Sequence, residues 1–322
     1  MRTIPELLCP AGEMAALRAA VDAGADAVYL GYRAFGARAS AQNFDGEALG
    51  EAVCYAHLHH VRVYLTVNTL IKPDETEAVA LALDEIAQSG ADALIIQDLG
   101  VAALALRHCP GMRLHASTQM ALCNAQGVRW AGSMGFSRVV LARECGLADI
   151  RSAVSTGVEI EVFAHGALCT AVSGRCLMSS MAGGRSGNRG RCAQPCRLDF
   201  RRGARGYALS LKDLCGLAHL DALRAAGVRS LKIEGRMKRP EYVAAAVAAC
   251  MAARAGEVPD LFALRAVFSR SGFTDGYLTG RRTLDMFGVR TQEDAAAAAP
   301  VLGSIRRLYR AERPRVGFCL LY

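Results

Sequence analysis

The chain has 322 residues, of which 52% are hydrophobic and 21% charged, and its net charge at pH 7 is +8. This composition excludes a disordered chain, and the length accommodates one barrel or two smaller domains. The first residues lack the long apolar run of a signal peptide, and the most apolar helical segment, 242–253, is shorter than the roughly 20 residues that cross a bilayer. We therefore expect a cytoplasmic protein with no membrane partner.

Short apolar runs alternate with helical patterns through the first 255 residues. Strands are predicted at Glu6–Cys9, Ala27–Leu30, Val61–Val67, Ala93–Ile96, Arg113–Ala116, Val139–Ala142, Glu159–Phe163 and Ser230–Ile233. Helices are predicted at Glu13–Ala23, Gly46–His59, Asp74–Ser89, Gly100–Arg107, Cys123–Met134, Leu147–Ser155, Leu217–Ala226 and Pro240–Ala253. Eight strand–helix units predict an α/β fold, a (β/α)8 TIM-like barrel. An open doubly wound sheet is the alternative, but no Gly-x-Gly-x-x-Gly follows the first strand.

The pattern also predicts how the chain is divided. The barrel is expected to cover residues 1–255, with a long cysteine- and arginine-rich insertion after the seventh strand, at 167–215. Because the carboxyl ends of the strands form the mouth of such a barrel, this insertion should lie over the mouth. The alternation stops after Ala255, so residues 256–322 are predicted to form a short C-terminal extension. The apolar run at its end, 316–322, leaves open whether the extension is truncated.

The insertion contains four cysteines with the spacing C-x6-C-x15-C-x3-C: Cys169, Cys176, Cys192 and Cys196. Four thiols within 28 residues are what a zinc ion or an iron–sulfur cluster requires. The other eight cysteines occur singly in apolar segments, as small buried hydrophobes do. We therefore predict a metal centre on these four. Zinc ligands usually come in C-x2–4-C pairs, which only the second pair matches, and disulfides are a third option.

Polar residues follow the predicted strands at the end where a barrel of this kind has its active site. Three of them, Asn68, Gln119 and Arg143, are predicted to contact substrate. Glu161 and His165 lie four residues apart on the seventh strand, so their side chains are expected to face the same side. Facing inward, His165 would transfer protons and Glu161 would orient it. The alternative for Glu161 is a salt bridge to a barrel arginine.

Seven arginines and one acid, Asp199, lie between residues 185 and 205. The arginines are Arg185, Arg189, Arg191, Arg197, Arg201, Arg202 and Arg205. Arginine suits phosphate because its planar group donates two parallel hydrogen bonds. Arg185, Arg189 and Arg197 are therefore predicted to bind an RNA backbone or a small acidic substrate. A solvated loop whose arginines offset thiolate charge is the alternative.

The segments Glu161-Val-Phe-Ala-His-Gly-Ala-Leu-Cys169 and Ser173-Gly-Arg-Cys-Leu-Met-Ser179 resemble the signature of peptidase family U32, the collagenase-like peptidases. Further matching segments are Gly184-Arg-Ser-Gly-Asn-Arg-Gly190, Cys192-Ala-Gln-Pro-Cys-Arg197 and Ser230-Leu-Lys-Ile-Glu-Gly-Arg236. The resemblance extends from about residue 5 to 280. The stretch 192–197 is most similar to the members that hydroxylate a cytidine in ribosomal RNA.

The resemblance implies an oxygen-independent hydroxylase. Its better-understood members modify ribosomal or transfer RNA, or act in ubiquinone biosynthesis, and they carry an iron–sulfur cluster on four cysteines. The matching positions here are Cys169, Cys176, Cys192 and Cys196. We therefore expect a 4Fe–4S cluster, with zinc as the alternative, and an RNA base as substrate. The RNA-modifying members draw on prephenate, which is a candidate co-substrate; the sequence does not identify an electron donor.

Two other functions compete with RNA hydroxylation. The family name implies a collagenase-like peptidase, but a protease needs a nucleophile with a base, a carboxylate pair or a metal-bound water. His165 precedes Cys169 by four residues with no evident third group to orient it, and no His-Glu-x-x-His occurs. The other alternative is a metal-stabilised RNA-binding module without catalytic activity.

Overall fold

The structure is a computed structural model that describes residues 4–38, 41–204 and 206–310. Ten strands lie within these residues: β1 (Glu6–Ala11), β2 (Ala27–Gly31), β3 (Arg62–Val67), β4 (Ala93–Ile96), β5 (Arg113–Ala116), β6 (Phe136–Val140), β7 (Glu159–Ala167), β8 (Asp213–Cys215), β9 (Ser230–Ile233) and β10 (Phe273–Thr274). All eight predicted strands are among them, with small shifts at their ends.

The described residues contain thirteen α-helices. They are α1 (Met14–Asp22), α2 (Gly46–Leu58), α3 (Thr76–Gln88), α4 (Leu99–His108), α5 (Ala125–Ser133), α6 (Leu147–Val154), α7 (Met178–Gly183), α8 (Leu220–Ala226), α9 (Pro240–Ala255), α10 (Leu261–Val267), α11 (Gly276–Thr279), α12 (Gln292–Ala296) and α13 (Ala299–Arg310). None of these helices is both long and apolar enough to cross a bilayer.

Eight parallel strands close into a barrel. The strands β1 to β7 pair in chain order, and β9 pairs with both β7 and β1, which completes the ring. Every residue of β1 and β2 is buried, as in strands covered by helices on one side and barrel interior on the other. The predicted (β/α)8 barrel is therefore confirmed.

Two strand boundaries differ from the prediction. The sixth strand is Phe136–Val140 rather than Val139–Ala142. Its start contains the charged residue Arg138, which interrupts the apolar pattern in the sequence but is buried in the structure because it forms ion pairs. The seventh strand continues past Phe163 to Ala167, since its last residues pair antiparallel with β8. β8 and β10 have three and two residues, too short to produce a recognisable pattern.

The elements after residue 255 pack against the barrel. Helix α10 packs on α9, α13 packs on both α1 and α9, and β10 extends the sheet beside β8. Ile305 of α13 is buried in the same core as the barrel helices. The division into 1–255 and 256–322 stays a prediction, and the apolar run 316–322 lies outside the described residues.

A network of charged side chains fills the amino-terminal half of the barrel interior. Glu6 accepts hydrogen bonds from the Tyr64 hydroxyl at 2.8 Å and from Arg138 Nη1 at 2.6 Å. Arg138 Nη1 also lies 3.4 Å from Glu161 Oε2, and Lys232 Nζ donates to Glu161 Oε1 at 2.8 Å. Burial by itself would raise the pKa of Glu161, but Lys232 and Arg138 more than offset it and lower that pKa. These pairs keep buried carboxylates ionised in the barrel interior.

Removing one partner of this network should destabilise the fold. The side chains of Lys232 and Glu161 are 6% and 0% exposed, so Lys232→Met leaves a buried carboxylate short of a partner. We expect a loss of about 3–5 kcal/mol in the free energy of unfolding, measured by urea denaturation. Adding Glu161→Leu should recover much of the loss. The exposed Lys72→Met is the control, and an unfolding midpoint for Lys232→Met equal to this control would contradict the prediction.

Candidate active site at the barrel mouth

A cavity of about 360 Å³ lies at the carboxyl ends of the barrel strands. Its floor contains interior side chains of five strands: Tyr29, Thr66, Ile95, Phe163 and Lys232. Its roof is the segment between β7 and β8, residues 168–212, which we call the cysteine loop. Residues of this loop therefore line the same cavity as the carboxyl ends of the strands, where a barrel enzyme places its substrate.

The cysteine loop is attached to the barrel by contacts close to its first cysteines. Ser173 donates its backbone N–H to Glu144 Oε1 at 2.9 Å and its hydroxyl to Glu144 Oε2 at 2.8 Å. At the next position, Gly174 has φ +70°, and a Cβ placed there would lie 1.9 Å from the carbonyl oxygen of Gln119. Only glycine allows this close approach, so Gly174 fixes how near the loop comes to the end of β5.

A second attachment lies further along the loop. Arg189 pairs with Glu75, its Nη1 donating to Glu75 Oε2 at 2.7 Å, and Leu70 N–H donates to the Asn188 carbonyl at 3.1 Å. Arg197 donates to the carbonyl oxygens at both ends of the loop, those of residues 168 and 211, each at 2.6 Å. The guanidinium groups of Arg189 and Arg197 thus hold the loop in place.

All four predicted ligand cysteines line the cavity: Cys169, Cys176, Cys192 and Cys196. Burial raises the pKa of the Cys196 thiol; Arg197 opposes this rise and the other three cysteines add to it. Cys196 is therefore an electrostatic neighbour of the other three cysteines of the loop. All eleven described cysteines are free, so the disulfide option has no support within those residues.

The remaining cysteines are not all core residues. Cys9, Cys109, Cys145 and Cys250 are buried, as expected, and Cys215 is partly buried. Cys54 and Cys123 are exposed, which contradicts the expectation, because they lie on the outer face of α2 and before α5. Cys319 lies outside the described residues. Within the described part of the chain, no three His, Cys, Asp or Glu side chains are grouped closely enough to hold one metal ion. The metal centre stays a prediction.

The expectation that Glu161 and His165 face the same side of β7 is wrong. Against β9, Glu161 pairs with Ser230 and Phe163 with Lys232, but His165 then pairs with Ile233, so β7 has one extra residue. This bulge turns His165 from the inner to the outer face of the barrel. Glu161 instead forms the alternative that the sequence left open, a salt bridge to the barrel arginine Arg138, as well as its pair with Lys232.

His165 lies between the barrel wall and the outer elements. Its ring centroid is 5.8 Å from that of Tyr242 and 5.2 Å from that of Phe273. Burial lowers its pKa to about 4, although Asp213 and the backbone of Leu214 oppose the shift, so the imidazole is neutral at pH 7. Neither His165 nor Glu161 is among the residues that line the cavity, so the predicted proton-transfer pair is not assembled there.

Glu234, which follows β9, is the centre of the charged floor. It accepts hydrogen bonds from Arg38 Nη2 at 3.0 Å and from Arg143 Nη2 at 2.9 Å. Burial would raise the pKa of Glu234, but Arg38, Arg143 and Arg236 outweigh it and lower the pKa to about 2. The guanidinium of Arg143 also lies 4.4 Å from the ring centroid of Phe163. Arg143 is therefore held on two sides.

The other predicted substrate contacts also line this cavity. Asn68 Oδ1 accepts a hydrogen bond from the Ala37 N–H at 3.0 Å. Its Nδ2 donates to Ser117 Oγ over a longer distance, 3.4 Å. Gln119 Oε1 and Arg143 Nε are buried with no hydrogen-bond partner among the described residues. A buried polar atom without a partner is unfavourable, so a ligand that bonded to these two atoms would gain affinity.

The arginines of the loop divide into two groups. Arg189 and Arg197 are used internally, whereas Arg185, Arg191, Arg201 and Arg202 are exposed. Arg185 Nε donates to the Arg191 carbonyl at 3.1 Å, and Arg201 pairs with Asp199 at 3.1 Å. Arg205 lies outside the described residues. The number of arginines in the sequence does not show which of them are paired internally, because partners such as Glu75 come from distant segments of the chain.

The sequence analysis missed several charged residues that line the cavity, among them Lys238 and Arg270. Lys238 follows β9 by five residues, so its position after a barrel strand was a usable signal. Arg270 follows α10, outside the barrel pattern, and no local signal marks it. It reaches the cavity only because the C-terminal elements pack back onto β8.

Fold and cavity together define a (β/α)8-barrel protein whose mouth is covered by a cysteine-rich loop. Residues 12–286 match the family described as Peptidase family U32. The chain is 42% identical over 247 residues to the 23S rRNA 5-hydroxycytidine C2501 synthase of Escherichia coli (strain K12), a match that covers 74% of this chain and 37% of that protein. The chain belongs to peptidase family U32, as the resemblance predicted.

Two further relatives carry different names. The tRNA hydroxylation protein P1 of Bacillus subtilis (strain 168) is 36% identical over 258 residues, covering 76% of this chain and 61% of that protein. A protein named Collagenase from Porphyromonas gingivalis (strain ATCC BAA-308 / W83) is 36% identical over 310 residues, covering 86% of this chain and 74% of that protein. The chain thus spans less than two thirds of the length of both hydroxylation relatives.

Gly174→Ala should loosen the cysteine loop. A side chain at φ +70° costs about 1–2 kcal/mol, and the new Cβ would also displace the loop from the Gln119 carbonyl. We expect faster trypsin cleavage at the arginines of the loop. Gly183→Ala is the matched control, since no atom lies within 4 Å of a Cβ at that position in the same loop. Equal cleavage rates for the two variants would show that this close approach does not hold the loop.

Proposed function

We propose that the protein is an iron–sulfur-dependent hydroxylase that acts on an RNA base, of the kind that modifies cytidine in 23S ribosomal RNA. The observation that carries this proposal is that four cysteines and the polar carboxyl-end side chains line the same cavity. Relatives named for rRNA cytidine and tRNA hydroxylation support the reaction. An RNA-modifying role also supports a cytoplasmic location.

The donor set supports a 4Fe–4S cluster more than zinc, the alternative. Zinc ligands usually come in C-x2–4-C pairs, and of the four cysteines only Cys192 and Cys196 have that spacing. Each iron of a cubane cluster takes one cysteine, which matches four cysteines in one loop. Cys169, Cys176, Cys192 and Cys196 would hold the cluster at the cavity wall. A bound cluster would supply electron transfer; the electron donor is unknown.

The chain's own residues have three tasks in this proposal. The cysteine loop would limit the access of water to the cavity, which strengthens polar contacts inside it. Gln119 Oε1 and Arg143 Nε offer an acceptor and a donor that no described residue uses, and these suit the edge of a base or a polar co-substrate. Glu234 fixes the guanidinium of Arg143, so that this donor is held in one orientation.

The charge of the cavity supports an acidic co-substrate. Seven cationic side chains line it, against one carboxylate, Glu234. They are Arg38, Arg143, Arg197, Lys232, Arg236, Lys238 and Arg270. We therefore propose prephenate, or another small acid, as the compound that shares the cavity with the cluster.

An exposed surface of the cysteine loop supports RNA as the partner. Arg201 and Arg202 are exposed beside two aromatic side chains, Phe200 and Tyr207, which are 39% and 37% exposed. Arginine binds phosphate, and exposed aromatic rings stack on unpaired bases. The combination is typical of surfaces that bind single-stranded RNA.

A collagenase-like peptidase is the alternative, favoured by the relative named Collagenase. Cys169 lines the cavity, but His165, the base it would need, lies on the outer face of the barrel with a pKa of about 4. This separation weighs against a His–Cys pair. A metal-stabilised RNA-binding module would bind RNA but leave it unmodified.

Hydroxylation is tested directly in cells that lack the natural gene. Expression of the chain should restore one added oxygen on a cytidine of ribosomal RNA, detected by mass spectrometry of its nucleosides. The doubly changed Gln119→Ala, Arg143→Ala variant should not restore it. Unmodified RNA with the unaltered chain, together with peptide cleavage by the purified protein, would replace this proposal with the peptidase.

The ligand assignment is tested by metal analysis. Anaerobically purified protein should contain about four irons per chain with matching sulfide, and Cys192→Ser should lose most of both. Cys54→Ser is the matched control, because Cys54 is also exposed but lies on α2, away from the cavity. Equal iron loss from both variants, or stoichiometric zinc in the unaltered protein, would reject the cluster on these four thiolates.

The RNA surface is tested by its dependence on salt. The double variant Arg201→Ala, Arg202→Ala should bind a single-stranded ribosomal RNA fragment more weakly, with a slope of log affinity against log salt that is smaller by about 0.7 for each phosphate that is no longer neutralised. The double variant Arg107→Ala, Arg129→Ala, exposed on α4 and α5, should retain the slope of the unaltered protein. Binding by the unaltered protein that does not depend on salt would argue against RNA.

A further inference from the structure

Six of the seven cations that line the cavity have protein partners. Arg38 and Arg143 bind Glu234, Lys232 binds Glu161, Arg236 donates to Thr66 at 2.8 Å, Arg197 donates to backbone carbonyls, and Arg270 pairs with Asp213. The exception is Lys238. Within the described residues, its ammonium group makes neither a hydrogen bond nor a salt bridge, and it lies over the aromatic rings of Phe268 and Tyr242.

Lys238 and Arg270 line the cavity and both lie over Phe268, an aromatic side chain that is not itself part of the lining. The guanidinium carbons of Arg270 and Arg290 lie 5.1 and 4.8 Å from the centroid of this ring. Three cations thus surround one aromatic side chain. The carboxylate near them, Asp213, is bound by Arg270, and this group of side chains therefore has more positive than negative charge.

Lys238 is less readily protonated than an exposed lysine. Burial is the main reason that its pKa is lowered to about 7, and Arg270 and Arg290 lower it further, while Asp213 and Glu234 oppose the shift. The charged or titratable groups that face it are Arg270, Asp213, Arg290, Glu234, Tyr242 and His165. At neutral pH a large fraction of the amine is uncharged, although it lies in a cavity suited to anions.

We propose that Lys238 binds a carboxylate of a small acid in this cavity, and that it takes up a proton as the acid binds. The anion supplies the negative charge that the group of cations around Phe268 lacks, so the ammonium form becomes the stable one. The inference rests on the proposed function only in that this acid would share the cavity with the cluster and the RNA base.

A small acid fits this position better than an RNA phosphate does. Lys238 lies on the inner wall of a cavity of about 360 Å³, roofed by the cysteine loop, which is the size range of small-molecule sites. The exposed arginines of the loop, which suit a polynucleotide backbone, lie on its outside. An RNA phosphodiester carries one negative charge, as a carboxylate does, so inorganic phosphate is used as a probe beside the carboxylates.

Proton uptake gives binding a defined pH dependence. Below the pKa of free Lys238, at about 7, the amine is already charged and affinity is independent of this group. Above it, each bound anion must bring one proton, so affinity falls by up to about tenfold per pH unit. A permanently charged side chain at this position would show no such decline.

The test measures binding of malonate, acetate and inorganic phosphate to the full chain by calorimetry, in two buffers of different ionisation enthalpy. We expect malonate to bind with uptake of about one proton above neutral pH. Lys238→Met should weaken malonate binding about tenfold or more and abolish the proton uptake. Lys238→Arg should keep the binding and lose the pH dependence. Lys72→Met, at an exposed lysine outside the cavity, should behave as the unaltered protein.

Several results would overturn the proposal. They are unchanged affinity and proton uptake in Lys238→Met, an unchanged pH dependence in Lys238→Arg, and failure of the unaltered protein to bind either carboxylate. Phosphate binding through Lys238 without malonate binding would overturn the carboxylate assignment. If Lys238→Met does not fold, the Lys238→Arg arm decides. None of these readouts uses RNA hydroxylation, so its failure alongside normal malonate binding would reject the proposed function and leave this inference standing.

Discussion

Closure of the barrel by β9 is the constraint on which the rest of the structure depends. β9 pairs with β1 on one side and β7 on the other, which brings together strands distant in the chain. Inside, Lys232 of β9 neutralises Glu161 of β7, and Arg138 links Glu161 to Glu6 of β1. At the mouth, the same closure places Glu234, just after β9, between Arg38 and Arg143, which follow β2 and β6. Closure by β9 thus positions two sets of ion pairs, one inside the barrel and one at its mouth.

The cysteine loop becomes part of this barrel through a few short-range contacts. Glu144 holds the backbone and hydroxyl of Ser173, and Gly174 allows the loop to approach the Gln119 carbonyl. A long loop loses much conformational entropy when it is ordered, and such contacts, together with the proposed cluster, would offset that loss. The attachments determine which cysteines face the cavity, and so they connect the fold to the proposed chemistry.

Charge explains why the cavity is suited to acids rather than to neutral ligands. Most of its cations are held by carboxylates or carbonyl groups, which fixes their geometry but leaves the cavity positive. Four thiolates at the roof would compensate part of this charge, and Lys238, with no anionic partner among the described residues, is left for a ligand. The outer arginines are separate from this system and suit a polyanion approaching from solvent.

The sequence by itself determined the barrel, the eight strands and the family, and it singled out the four cysteines that line the cavity, because each of these depends on local periodicity or on spacing along the chain. Only the tertiary structure decided the side-chain directions and partners. The extra residue between Phe163 and His165 turns His165 outward, which no period-2 pattern can show. Arg189 and Arg197, expected to meet substrate, hold the loop because Glu75 and two carbonyls reach them. Arg270 enters the cavity through packing of segments far apart in sequence, where local signals do not exist.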